Sequence, residues 1–359
     1  MRRLVRIVAV ALSLTLGAAF SVGAQVPPAS NSDVLDMLMH NRYDALDMFL
    51  SELQHKFEAD PEGESPLRDA FRAIEQPPAR TERDMDGALD NWVARFPRSY
   101  VALTARGRYR LHRGLEARGS KFVAETSRHQ IEEMKRHFAM AREDLQRSLA
   151  LTRKPLLSHL GLYAMAMRTR EDGDGEAYYT AAVAYAPRSE ALRELRMESL
   201  RPRWHGSLNQ MEAYARETES EIGPGTTTDR MYNIIVEERA WAYERREDWA
   251  GAIAVYAEGL AKRDSRRLVC GRASAHARLE HWGEAIADLT LALKRPGPHD
   301  YCAELAAWVA QRRIDDPAIP ALLQAYIENN PRHGGLRQAR AWLLHKSGRH
   351  AAAYDDLRF

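Results

Sequence analysis

The chain has 359 residues, 45% of them hydrophobic and 28% charged, with 52 basic and 50 acidic side chains. That composition excludes wholesale disorder and supports a real core, and the length fits two ordinary domains or one long repeat array. Two cysteines, Cys270 and Cys302, exclude a fold that depends on a disulfide framework.

Residues 1–24 read as a secretory signal. Arg2, Arg3 and Arg6 precede an apolar run from Ile7 to Phe20, and Val22-Gly23-Ala24 places small residues before an expected cleavage at Gln25. The run is too short to span a membrane comfortably and has no basic stop after it. Removing three arginines leaves 49 basic and 50 acidic residues, a formal charge of −1. At the level of net charge no nucleic-acid or membrane footprint remains, so neither nucleic acid nor membrane insertion of the mature chain is expected. An exported protein, periplasmic or secreted, can hold Cys270 and Cys302 bonded or free. They lack the CxxC spacing of a zinc or redox site.

Residues 25–32 read as a linker and 33–222 as an irregular helical domain. "DVLDMLMHNRYDALDMFLSELQHKF" and "SRHQIEEMKRHFAMAREDLQRSLAL" carry apolar stripes at helical spacing, and "PPAR", "DGDG" and "GPGTTT" break them. No strand alternation is present. Two segments, "WVARFPRSYVALTARGRYRLHRGLEARG" (92–119) and "LRPRWHGSLNQMEAYARE" (200–217), resemble a bacterial tetratricopeptide-like family known only as a domain of unknown function, often found in exported proteins. Leu115 stands where that pattern has an aromatic and His205 where it has a glycine. The resemblance implies a fold and no activity.

Residues 229–359 repeat. Ala252, Ala285, Ile319 and Ala353 are spaced by 33, 34 and 34 residues, and twelve residues before each stands Ala240, Ala273, Ala307 and Ala341. Four residues after each come Tyr256, Leu289, Leu323 and Leu357. Small residues on a first helix let a second approach, and apolar residues at three-four spacing line the seam. Each unit is therefore a helix hairpin. Its turn is "RREDW", "LEHWG" or "KSGRH", plugged by Trp249 or Trp282 in the first two units, and Pro296 and Pro331 stop second helices. Over Met231 to Phe359 this resembles the tetratricopeptide repeat family, with departures at Val236, Val269 and Ile319. That family forms right-handed superhelices that bind protein segments in a concave groove. The expected fold is thus all-α: a tetratricopeptide-like right-handed α–α superhelix, irregular in its N-terminal half, with about four repeats, the last incomplete.

Eleven residues before each anchor stand Trp241, Ser274, Trp308 and Trp342, and seven before stand Arg245, Arg278, Arg312 and Lys346. Aromatic and base are four apart and share one face of the first helix. In such repeats that face lines the groove, so Trp241, Arg245, Arg278, Trp308, Arg312, Trp342 and Lys346 are the expected partner-binding residues. The competing reading is packing between repeats. In the last unit Tyr354 and Leu357 are expected to face repeat three, and Ala353 and Phe359 to be incompletely covered. That would leave the C-terminal end available for self-association or docking.

No motif for catalysis is specific. "RHQIEEMKRH" puts His129 and His137 roughly on one helix face, but a solvated face is favoured over zinc. "RWHGS" reads as Trp204 in a core, His205-Gly206 ending a helix and Ser207 capping the next. Arg106 and Arg118, each in an "ARG" triplet, read as an internal ion-pair network with Glu116 and Glu125 as partners. No catalytic residue, metal or cofactor is expected. The functional expectation is an exported, non-enzymatic scaffold that binds a protein or peptide in a bacterial envelope. The alternative is an envelope enzyme or effector using the ARG and RWHGS segments.

Overall fold

The computed structural model describes residues 31–78, 84–119, 125–169, 175–295, 300–331 and 333–358. The expected signal segment 1–24, the cleavage at Gln25, Pro296 and Phe359 lie outside them. The described residues form helices and no strand. In the first half these are α1 (Asn31–Met39), α2 (Tyr43–Ala59), α3 (Ser65–Glu75), α4 (Met85–Arg95), α5 (Tyr100–Arg118), α6 (Arg128–Ser148), α7 (Leu156–Thr169), α8 (Gly175–Val183), α9 (Glu190–Ser199) and α10 (Leu208–Ile222). The second half holds α11 (Thr226–Glu244), α12 (Trp249–Lys262), α13 (Arg266–Arg278), α14 (Trp282–Leu293), α15 (Asp300–Arg312), α16 (Ile319–Asn329), α17 (Gly334–Lys346) and α18 (His350–Leu357). Helix α1 starts at Asn31, inside the segment expected as linker.

Local chemistry starts many of these helices. Ser99, Ser127, Ser189, Ser207, Asp248 and Ser265 each accept a hydrogen bond from the backbone N–H three residues on, which satisfies a donor left unpaired at a helix start. Ser127 and Gln130 complete a reciprocal capping box. The break between α10 and α11 falls at Gly223, whose φ of 78° suits a residue without a side chain.

Packing then builds an α–α superhelix of two rows. Each odd-numbered helix from α1 to α17 contacts the next odd-numbered one, and even-numbered helices pack behind them. The row therefore runs unbroken through the half in which the sequence shows no period. The close approach there uses glycine in place of alanine. A Cβ on Gly107 of α5 would lie 2.8 Å from Leu145 Cγ of α6, and one on Gly114 2.7 Å from Phe138 Cδ1. In the repeats Ala240, Ala252, Ala273, Ala285, Ala307, Ala341 and Ala353 are all buried, as is Ile319. The core is divided accordingly, with one cluster from α1 to α9, another from α13 to α17 and smaller ones between and beyond.

Two hairpins in the repeats close on the same buried clamp. Arg272 Nε and Nη2 donate to Asp288 at 2.9 and 2.7 Å, and two repeats later Arg340 donates to Asp356 at 2.6 and 2.5 Å. Repeat three has Ala306 and Leu322 at these positions, both buried.

The last repeat departs from expectation. Tyr354 and Leu357 are 60% and 62% exposed and do not pack on repeat three, whereas Ala353 is buried. The reason is the register. Tyr256, which is equivalent to Leu357, rests on Gly271 of the following first helix. Leu357 therefore points away from repeat three, while Ala353 sits in the seam with Ala341 and Leu344.

Candidate partner-binding surface

The expected groove residues fall into three groups. Arg245 lies over the Trp241 ring on α11, 4.9 Å from its centroid. Arg312 lies 3.9 Å over Trp308 on α15, and Arg278 of α13 reaches the same ring at 5.7 Å and that of Trp249 at 5.6 Å. Trp282 packs on Trp308 with centroids 5.9 Å apart. Arg278, Trp308 and Arg312 are thus brought together, in an alternating stack of rings and guanidiniums across the hairpin turns. Trp342 is different: it is 57% exposed and stacks on His345, while Lys346 turns away to Asp315 at 2.6 Å.

This arrangement has a defined chemistry. Where Arg278 and Arg312 lie over the Trp308 indole, ring and bases together present an apolar surface beside cationic groups. Trp249 and Trp282 belong to the stack although their place in the sequence suggested only turn plugs. The signal was present: Arg278 precedes Trp282 by four residues across the turn, and Trp249 stands 33 residues before Trp282.

A second feature lies along the odd-numbered row. Helices α3, α5, α7, α9, α11 and α13 all line one cavity of about 430 Å³. Leu111, Leu157 and Leu160 form its buried floor, and Leu115, Ala164 and Leu195 are half-buried on its walls. Its inner arginines are held by carboxylates. Arg68 donates to Glu64 at 2.7 Å, Arg108 to Glu75 and to Leu157 O, and Arg201 to Glu238 at 2.9 Å with Glu198 at 2.7 Å. Arg72 and Arg267 are exposed at its edges. Arg267 pairs with Glu237, whose carboxyl is raised by burial against the lowering effect of Arg267 and Arg201.

The ARG and RWHGS segments do not make one site. Arg106 donates to Asp144 at 2.8 and 2.6 Å and to Asp90 at 2.9 Å, so the expected partners Glu116 and Glu125 are corrected. Glu116 instead takes Arg113 at 2.6 Å. Arg118 donates to Gly119 O and lies about 18 Å along α5 from Arg106. Trp204 is half-buried, with Arg168 over its ring at 5.5 Å and its Nε1 donating to Glu198 at 3.1 Å. His205 is exposed with φ 73°, and Ser207 caps α10. Among the described residues no three His, Cys, Asp or Glu side chains group to hold a metal ion, His129 and His137 included, and no helix is long and apolar enough to cross a membrane.

Cys270 of α13 and Cys302 of α15 are both buried, with Cα atoms 5.6 Å apart and their sulfurs joined. The spacing of nearly one repeat puts them on neighbouring first helices.

The family model described as a domain of unknown function, DUF4034, matches residues 30–159. No curated protein matches. Similar solved structures include a monomeric mutant of IFIT1 with Gppp-AAAA, at 13% identity over 92% of this chain and 72% of that one, with a TM-score of 0.27. Another is the TPR domain of P58(IPK), at 13% identity over 91% of each chain, with a TM-score of 0.22.

Proposed function

We propose that the protein is a non-enzymatic scaffold of the bacterial envelope that binds a segment of another protein along its odd-numbered helices, with the C-terminal repeats tetratricopeptide-like. The observation that carries this reading is the recurrence of ring-and-base pairs on first helices: Arg245 on Trp241, Arg312 on Trp308, and Trp342 left open. A bound segment would lay apolar side chains on the indoles and carboxylates against the guanidiniums of Arg278 and Arg312. Export rests on the signal-like residues 1–24. The exposed Tyr354 and Leu357 make the C-terminal end a second contact surface, for a copy of the chain or a partner.

The groove reading is tested by capture from envelope extracts. Trp308→Ala with Arg312→Ala should abolish capture with helicity retained. Trp342→Ala, at an exposed position, should weaken capture with stability unchanged. If the double variant unfolds and Trp342→Ala captures as well as the parent, the tryptophans serve packing alone.

Export and thiol state are read in one intact-mass measurement on protein recovered after secretion. The expected chain begins near Gln25 and is lighter by two hydrogens through a Cys270–Cys302 bond. A chain retaining Met1, or two thiols reacting without denaturant, would contradict the respective part.

A further inference from the structure

We infer that the cavity lined by α3, α5, α7, α9, α11 and α13 receives an acidic, leucine-bearing segment of a partner protein. This rests on the scaffold reading above and adds a further binding site to it.

The shape comes first. Six successive helices of one row can line a common cavity only if the row curves around it, so Arg72 of α3 and Arg267 of α13 face the same space although 195 positions apart. The floor is apolar, and Leu115, Ala164 and Leu195 keep part of their surface uncovered, which suits branched aliphatic side chains.

Charge then selects the occupant. Five arginines and three glutamates line the cavity directly. The inner arginines Arg68, Arg108 and Arg201 are neutralised in place by Glu64, Glu75, Glu198 and Glu238, so they stiffen the walls. The edge arginines are less well matched. Arg72 meets Asp69 at 3.5 Å, with both side chains more than half exposed, a pair of little strength. Arg267 pairs with Glu237, but its own side chain is 55% exposed, which leaves room for a second carboxylate on the guanidinium. An arriving chain therefore meets apolar surface between two cationic edges. A lysine-rich segment would be repelled at both edges. A neutral apolar segment would gain the floor but add nothing at the two exposed guanidiniums. Carboxylates flanking aliphatic side chains use both the floor and the edges.

The probe is a fluorescein-labelled peptide alternating glutamate and leucine, followed by fluorescence anisotropy on the full chain. Companion probes replace every glutamate by lysine or every leucine by serine. Binding of the first probe is expected, with at least about tenfold weaker binding of each companion. Arg72→Glu with Arg267→Glu should weaken the glutamate–leucine probe by at least about tenfold and improve the lysine–leucine one. Arg267→Glu also removes the partner of Glu237, so circular dichroism must show the double variant folded; Arg72→Glu alone breaks only an exposed pair and should weaken the probe with the unfolding midpoint unchanged. Trp342→Ala should leave probe binding unchanged, which separates this cavity from the tryptophan surface. No binding of the first probe, equal binding of the lysine probe, or full displacement by inorganic phosphate alone would overturn the inference. If the arginine reversal leaves the probe unaffected while Trp342→Ala abolishes it, this cavity is not the site and the scaffold reading stands.

Discussion

Replacing Asp288 by alanine is expected to lower stability by about 3 kcal/mol, because it strands the Arg272 guanidinium in the α13–α14 seam. The same loss should largely disappear in the double variant Arg272→Ala with Asp288→Leu. Repeat three already carries that solution, with Ala306 and Leu322 buried at the equivalent positions. Removing both charges avoids the desolvation of an unpaired group and adds apolar burial in a seam whose geometry accepts it. Denaturant unfolding of parent, single and double variants decides the matter. A double variant as unstable as the single one would mean that the clamp sets the hairpin geometry and does not merely fill it.

Glu58 gives the second large effect, and it depends on pH. This buried carboxylate at the end of α2 accepts from Thr152 Oγ1, from the backbone N–H of Arg153 at 2.8 Å and of Lys154 at 3.2 Å, and from Gln54. Burial alone would raise it, but those hydrogen bonds together bring it down to about 2 from an ordinary 4.5. A depressed carboxyl stabilises the fold fully above 4.5, and the contribution fades as pH falls from there toward about 2. Glu58→Gln should therefore cost about 2–3 kcal/mol at pH 7, with parent and variant converging as the pH drops through that window. A gap that stays constant from pH 7 to pH 3 would show that shape, not charge, holds the α6–α7 turn to α2.

The repeats were legible because each unit meets its neighbour in the same way. Ala240 and Ala252 announce a close seam, and 33 residues later Ala273 and Ala285 say the same. The first half uses the same two-row plan with different parts. There Gly107 and Gly114 provide the approach, and the longer α5 and α6 move the arginine's partner from 16 residues away, as in Arg272–Asp288, to 38, as in Arg106–Asp144. A period search has nothing to lock onto when hairpin length varies. Trp241 with Arg245 and Trp308 with Arg312 meet as residues four apart on one helix do, but the ring contacts of Trp249 and Trp282 depend on how turns of adjacent hairpins nest, which no single helix encodes. The cavity was beyond reach for a similar reason: Arg72 and Arg267 come to line one space only through the summed placement of six helices.

The bond between Cys270 and Cys302 joins α13 to α15, two helices of the odd-numbered row, and not the two arms of one hairpin. Elsewhere along that row neighbouring helices are held by packing and by non-covalent pairs such as Arg108–Glu75 and Arg267–Glu237, which can break and re-form. At this one step, with Cα atoms 5.6 Å apart, the helices cannot separate. A single covalent step in a row of non-covalent ones is expected to concentrate bending on either side of repeats two and three, and to keep Trp308, Arg278 and Arg312 together on one block.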